Sequence, residues 1–112
     1  MTPRREFARA GGLLVAGTDP TGGGGVIPGY ANQRQLELLV EAGFTPLEAI
    51  AIGTRNGARY LGLEKQIGTI APGLQADLMI VAGDPSRDIS DVRQVETVFR
   101  KGVGFDPQKL IA

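Results

Sequence analysis

The spacing of apolar positions changes several times along this chain. Leu13-Leu14-Val15-Ala16 is apolar without alternation. That pattern predicts a strand buried on both faces, as in a parallel α/β sheet. Gly17-Thr18-Asp19 follows, and then Pro20 and the run Gly22-Gly23-Gly24-Gly25 forbid regular structure. Asp19 is thereby placed at the carboxyl end of a strand, at the mouth of a glycine-rich loop. Parallel barrels and open α/β sheets carry their chemistry at that position.

On either side of this stretch the period is helical. Arg5 to Ala10 reads as a short helix stopped by Gly11-Gly12. Val26-Ile27-Pro28-Gly29 is an extended connector. From Tyr30 or Ala31 onward, Leu36, Leu39 and Val40 share one face, while Gln33, Arg34, Gln35, Glu37 and Glu41 take the other. This is an amphipathic helix with Gly43 as its C′ stop and Phe44 folding back over the last turn. Thr45-Pro46-Leu47-Glu48 starts the next helix, with Thr45 as N-cap and Glu48 completing a capping box. It is predicted to run to Tyr60 or Leu61, with Leu47, Ile50, Ala51, Thr54, Ala58 and Leu61 as its buried stripe. Gly53 and Gly57 lie inside it, each costing about 1 kcal/mol relative to alanine. A close approach to another element is the reading that would account for them.

Beyond Gly62 the character becomes β. Lys65 to Ile70 is predicted as a short strand, and Ala71-Pro72-Gly73-Leu74 as a type II turn. Asp77 to Ala82 is a second strand. Val95 to Arg100 is a third, with Val95, Thr97 and Phe99 on one face. Lys101-Gly102 turns into a short last strand, Val103 to Phe105. The chain thus divides into an α/β piece, residues 1–62, and a β-rich piece, residues 63–112. One doubly buried strand with two helices cannot close a sheet, and three or four short strands leave edges unpaired. Both halves are predicted to lack neighbours.

Composition then narrows the chemistry. In 112 residues, twelve basic side chains balance twelve acidic ones. No basic stripe is visible, so neither nucleic acid nor an acidic membrane is supported as a partner. No apolar run approaches the roughly 18 residues of a membrane span. Arg4-Arg5 near the start has a twin-arginine look, but Glu6 and Arg9 interrupt the apolar stretch and no A-x-A site closes it. Nothing fixes the compartment, and the cytoplasm is the default. Cysteine and histidine are both absent. A self-contained zinc site, a serine–histidine triad and a histidine general base are therefore excluded within this chain. The glycine run lacks the Lys-Ser/Thr of a phosphate loop, and Asp19 would repel phosphate.

Several motifs in order resemble one family. They are Gly17-Thr18-Asp19, Leu36 to Ile50, Thr54-Arg55-Asn56-Gly57-Ala58, Ile67 to Leu78, Gly83-Asp84-Pro85 and Val98 to Gly102. Together they resemble the carboxyl-terminal part of amidohydrolase-superfamily enzymes, in particular the imidazolonepropionase-like and prolidase-like members. The resemblance implies an α/β fold: the last strand and closing helices of a (β/α)8 TIM-type barrel, plus the carboxyl-terminal strands of a small composite β-sandwich. It makes Leu13–Gly17 the eighth barrel strand.

It also implies hydrolysis of C–N bonds in amides, cyclic amides, amidines or dipeptides. One or two divalent metals, usually zinc, activate the water in that family. A metal lowers the pKa of bound water from about 15.7 to about 7. A neighbouring carboxylate can take the proton and pass it to the leaving nitrogen. By resemblance Asp19 is that residue, both metal ligand and proton shuttle, whereas its local sequence alone favours a turn cap before Pro20.

The family's H-x-H pair and later histidines are absent here, and catalytic zinc needs three protein ligands. The chain therefore reads as a carboxyl-terminal fragment or truncated relative. As an isolated chain it is expected to be inactive and to bind no metal tightly. Its expected partners are a small-molecule substrate in the complete enzyme and the missing barrel portion or a second copy. The contrasting reading is a non-catalytic, stand-alone α+β interaction module. Asp84 and Asp88 read as solvated loop charges, Asp77 as part of the sandwich turn, and Arg55 and Arg59 as surface or barrel-to-sandwich contacts.

Overall fold

A computed structural model describes residues 3–17, 31–107 and 109. Four helices come first: α1 (Pro3–Arg9), α2 (Ala31–Glu41), α3 (Pro46–Gly53) and α4 (Arg55–Tyr60). Strand β1 (Leu78–Val81), a 3-10 helix (Ile89–Arg93), β2 (Val95–Arg100) and β3 (Val103–Phe105) follow. The strands form one antiparallel sheet in the order β1-β2-β3. Leu78 faces Phe99 and Met79 faces Val98, and the register shifts between Ile80 and Val81.

The helix signals act as their chemistry dictates. Helix α2 ends at Gly43, whose φ of +110° is open to glycine and strained for other residues. The Gly43 N–H donates to the Val40 carbonyl (3.0 Å) and the Phe44 N–H to that of Leu39 (3.2 Å). Two orphan carbonyls are satisfied, and Phe44 and Leu39 are brought together in the core. Thr45 Oγ1 accepts from the Glu48 N–H (3.2 Å), while Glu48 Oε1 accepts from the Thr45 N–H (2.9 Å). The capping box of α3 is complete, with Pro46 in its first turn.

The single helix expected over 46–61 is instead two. Thr54 Oγ1 donates to the Ile50 carbonyl (2.7 Å), and Thr54 leaves helical geometry at φ −128°, ψ −83°. A hydroxyl that bonds back one turn weakens and bends a helix, and here it coincides with a tightened last turn in which the Thr54 N–H donates to the Ala51 carbonyl (3.3 Å). The expected stripe is also displaced. Ala49, Ile52 and Ala58 are buried, whereas Leu47, Thr54 and Leu61 are exposed.

Gly53 does lie at a close approach. A Cβ there would stand 2.7 Å from Leu36 Cδ2 of α2, whereas one at Gly57 would meet nothing within 4 Å.

The core joins both parts of the chain. Leu39, Phe44, Ala49 and Ile52 pack with Ile89 and Val92 of the 3-10 helix, and Ala8, Leu14, Ala16, Leu36, Val40 and Ile50 pack against them. Arg93 reinforces this junction from the rim. Its Nε and Nη2 donate to Glu37 Oε2 and Oε1, both at 2.8 Å.

In the second part, β1, β2 and β3 lie within or at the expected strands 77–82, 95–100 and 103–105, and Val95, Thr97 and Phe99 share the more covered face of β2, as its alternation predicts. The Pro72-Gly73 turn closes with the Leu74 N–H on the Ala71 carbonyl (3.2 Å) and Gly73 at φ +87°. Lys65–Ile70 is not a strand. The chain turns twice through the Leu63 carbonyl, which accepts from the Gln66 and Ile67 N–H groups, and Gly68 packs its backbone against Ala58.

Candidate functional site

The approach to the candidate site is built by α1 and α4. Helix α1 delivers the chain into residues 12–17, which form no strand, contrary to the expectation for Leu13–Ala16. Leu14 and Ala16 turn their side chains to the core. Leu13 and Val15 remain 40% and 37% exposed. The strand expected to be covered on both faces is therefore covered on one, and it pairs with no other strand among the described residues.

What fixes the segment is a side chain. Asn56 Nδ2 of α4 donates 2.9 Å to the Leu14 carbonyl, which a ladder partner would otherwise satisfy. Asn56 received no role from sequence reasoning, although it lies within the Thr54-Arg55-Asn56-Gly57-Ala58 motif.

The described part of this segment stops at Gly17. Asp19, the sequence-derived metal ligand and catalytic carboxylate, lies outside the described residues, as do the glycine run and the Val26–Gly29 connector. At the other end of the segment, a cavity of about 340 Å³ is bounded by Gly11, Leu13, Glu48, Arg55, Asn56 and Arg59. Glu48 is already committed to its capping box and to Arg9 (3.4 Å), and the Thr45 N–H chiefly holds its carboxyl below the usual range. Arg55 and Arg59 border this cavity and are exposed, as the helical spacing suggested.

Four aspartates are bound into turns and caps. Asp77 accepts from the Lys101 N–H (2.8 Å) and from Gln75, and its carboxyl is lowered mainly by the former. Asp84 accepts from the Ser86 N–H (3.1 Å) and hydroxyl. Asp88 caps the 3-10 helix through the Ser90 N–H (3.1 Å), so Asp84 and Asp88 have structural work beyond solvated charge. Asp91 accepts from the Asp84 N–H (2.9 Å). Among the described residues no three of His, Cys, Asp and Glu form a group able to hold a metal ion. With no histidine in the sequence, these residues do not fit a zinc site by themselves.

A model of the amidohydrolase family matches residues 3–104. The chain belongs to that family. Imidazolonepropionase of Ruegeria sp. is 36% identical over 110 residues, covering 94% of this chain and 23% of its relative. Adenine deaminase of Paracoccus denitrificans is 34% identical over 93 residues, covering 81% of this chain and 14% of the relative. A crystal structure described as a prolidase from Bifidobacterium longum superposes with a TM-score of 0.81 at 34% identity, covering 91% of this chain and 25% of that one. A Xaa-Pro dipeptidase with methionine bound in its active site gives a TM-score of 0.79 at 30% identity, covering 92% and 24%. This member of the amidohydrolase family thus spans a quarter or less of these relatives' lengths. The described architecture is a small α/β unit of helices and three antiparallel strands. No described helix is long and apolar enough to cross a membrane.

Proposed function

We propose that this chain is the carboxyl-terminal segment of a metal-dependent hydrolase acting on C–N bonds, and that Asp19 is the carboxylate it contributes to the site. One observation carries this reading. The family match runs from residue 3 to residue 104 and so encloses Asp19, in a chain whose histidine content is zero. Residues 1–62 are then the end of a (β/α)8 barrel, with the segment ending at Gly17 as its last strand. Residues 63–112 are the chain's share of a composite sandwich. Two features of Leu13–Gly17 support this: it pairs with no strand among the described residues, where a barrel strand has a neighbour on each edge, and one of its faces is open.

Asp19 then accepts a proton from the attacking water and returns it to the leaving nitrogen. One or two divalent metals, zinc by expectation, belong to the assembled site and take their histidines from polypeptide outside this sequence. The substrate is a small molecule with a cyclic amide, amidine or dipeptide C–N bond, in keeping with the relatives' names.

Activity assays with zinc on adenine and on Xaa-Pro dipeptides test the proposal. The purified chain is expected to turn over neither. Co-expressed with a polypeptide supplying the remaining three quarters of the fold, it is expected to give zinc-dependent hydrolysis. Asp19→Asn should reduce that activity by about 100-fold or more, the usual worth of a positioned general base. Equal activity with and without Asp19 would refute the assignment.

A further inference from the structure

The sequence holds two asparagines, Asn32 and Asn56, and only Asn56 is followed by glycine. Asparagine is a labile residue, because the backbone nitrogen of the next residue can attack its side-chain Cγ. A β-carbon on that next residue obstructs the approach, and glycine has none. Gly57 is also uncrowded: a Cβ there would meet nothing within 4 Å. Asn56 lines the cavity of about 340 Å³ beside Arg55 and Arg59, which gives water a path to its amide.

The local backbone adds to this. A helix holds an asparagine Cγ away from the following nitrogen, so the reaction requires the turn to open. Helix α4 has six residues, too few to stand alone, and it follows the break at Thr54. Gly57 lies in its first turn, where N–H groups lack an intrahelical acceptor, and Thr54 provides no side-chain cap. Gly57 itself weakens the helix. Opposing the opening are the burial of Ala58 and the 2.9 Å bond from Asn56 Nδ2 to the Leu14 carbonyl. Asn32, by contrast, lies in the longer helix α2 and precedes Gln33.

We propose that Asn56 is a site of spontaneous deamidation and that the reaction releases Leu13–Gly17 from α4. The Gly57 nitrogen gives up its proton to hydroxide and forms a bond to Asn56 Cγ. The Cγ–Nδ2 bond breaks, Nδ2 takes a proton from water and leaves as ammonia, and a succinimide ring remains. Water then opens the ring at either carbonyl. One product has an aspartate side chain at this position. The other carries the main chain through the former side chain as isoaspartate, which adds a carbon to the backbone of α4. Both lack the Nδ2 donor. In the aspartate product an acceptor-only carboxylate replaces the amide, and the Leu14 carbonyl loses its partner. The reaction needs only water and hydroxide, and it stands apart from the hydrolase reading.

The experiment incubates the purified 112-residue chain in mildly alkaline buffer, beside the same chain unfolded in urea. Isoaspartate is located by enzymatic methylation and peptide mapping. The expected result is conversion at Asn56 in the folded chain, slower than in urea and faster as pH rises, with Asn32 intact. Gly57→Ala fits the open space at this position and should slow conversion by about 10-fold or more. Ion exchange separates the product by its added negative charge. Amide exchange over Leu14–Gly17 should quicken in that product, and Asn56→Asp should reproduce the change.

Two results would overturn the assignment of the site: no isoaspartate at Asn56 in the folded chain over the period that converts the chain in urea, or conversion equally fast in Gly57→Ala. A deamidated chain whose exchange over Leu14–Gly17 is unchanged would refute the release of the segment.

Discussion

Arg93 grips both carboxylate oxygens of Glu37 at 2.8 Å, joining α2 to the 3-10 helix across 56 residues of chain. Arg34 adds a third contact to Glu37 at 3.2 Å. Glu37 is buried while Arg93 keeps 40% of its side chain in solvent. A two-point charge-assisted bond of this kind outweighs an ordinary surface pair, but the exposed guanidinium lets solvent screen it. Glu37→Gln is expected to cost about 1.5–2 kcal/mol, the low end of the range for hydrogen bonds to charged groups. Arg93→Met should cost more than Glu41→Gln, whose partner Arg34 lies in solvent. Urea unfolding of the three variants checks the order.

The same pair sets a pH dependence. Hydrogen bonding from Arg93 is the chief cause that holds the Glu37 carboxyl at about 2, against an ordinary 4.5. The folded state therefore binds this proton less readily than the unfolded chain. The contribution is complete above the unfolded value and is lost as pH falls from 4.5 toward 2. Glu48 and Asp77 are lowered too and act in the same direction. Stability measured by urea midpoint should be flat near neutrality and fall below about pH 5. In Glu37→Gln that fall should be shallower.

Asn56 is expected to govern the order of the segment leading to Asp19. Asn56→Ala leaves the Leu14 carbonyl without its 2.9 Å donor, at a cost of about 1–2 kcal/mol. Amide exchange over Leu14–Gly17 should quicken, whereas Arg59→Ala should change neither quantity by more than about 0.5 kcal/mol or its kinetic equivalent.

The two helical glycines should respond differently to alanine. Gly57→Ala enters open space in α4 and should stabilise by about 0.5–1 kcal/mol. Gly53→Ala meets Leu36 Cδ2 at 2.7 Å, so the leucine must leave its rotamer. The cost, about 0.5–1.5 kcal/mol, cancels or reverses the gain. Thermal unfolding of the two single variants distinguishes them.

Features set by neighbours in sequence were legible. Thr45, Pro46 and Glu48 announce α3, Gly43 and Phe44 the end of α2, Pro72-Gly73 a type II turn, and the alternation of Val95, Thr97 and Phe99 strand β2. Features set by distant neighbours were not. The break at Thr54, where the side chain bonds back to Ile50, is concealed by a single periodic stripe. Lys65–Ile70 has strand-like residues, but Gly68 is drawn onto Ala58. The displaced burial of α3 and the open face of Leu13–Gly17 depend on which neighbours this length of chain contains. Glu37 and Arg93 each resemble an ordinary surface charge until the fold brings them together. For the site, local sequence placed Asp19 at the carboxyl end of a strand, Leu13–Ala16, where the structure has an unpaired segment instead, while its catalytic role came from family resemblance alone.

Calorimetric titration of the purified 112-residue chain with zinc tests the central claim most directly. The account expects no stoichiometric binding at micromolar concentration, and identical traces for wild type and Asp19→Asn. Tight one-to-one zinc binding lost in Asp19→Asn would contradict it, because the chain would then hold a metal without ligands from elsewhere.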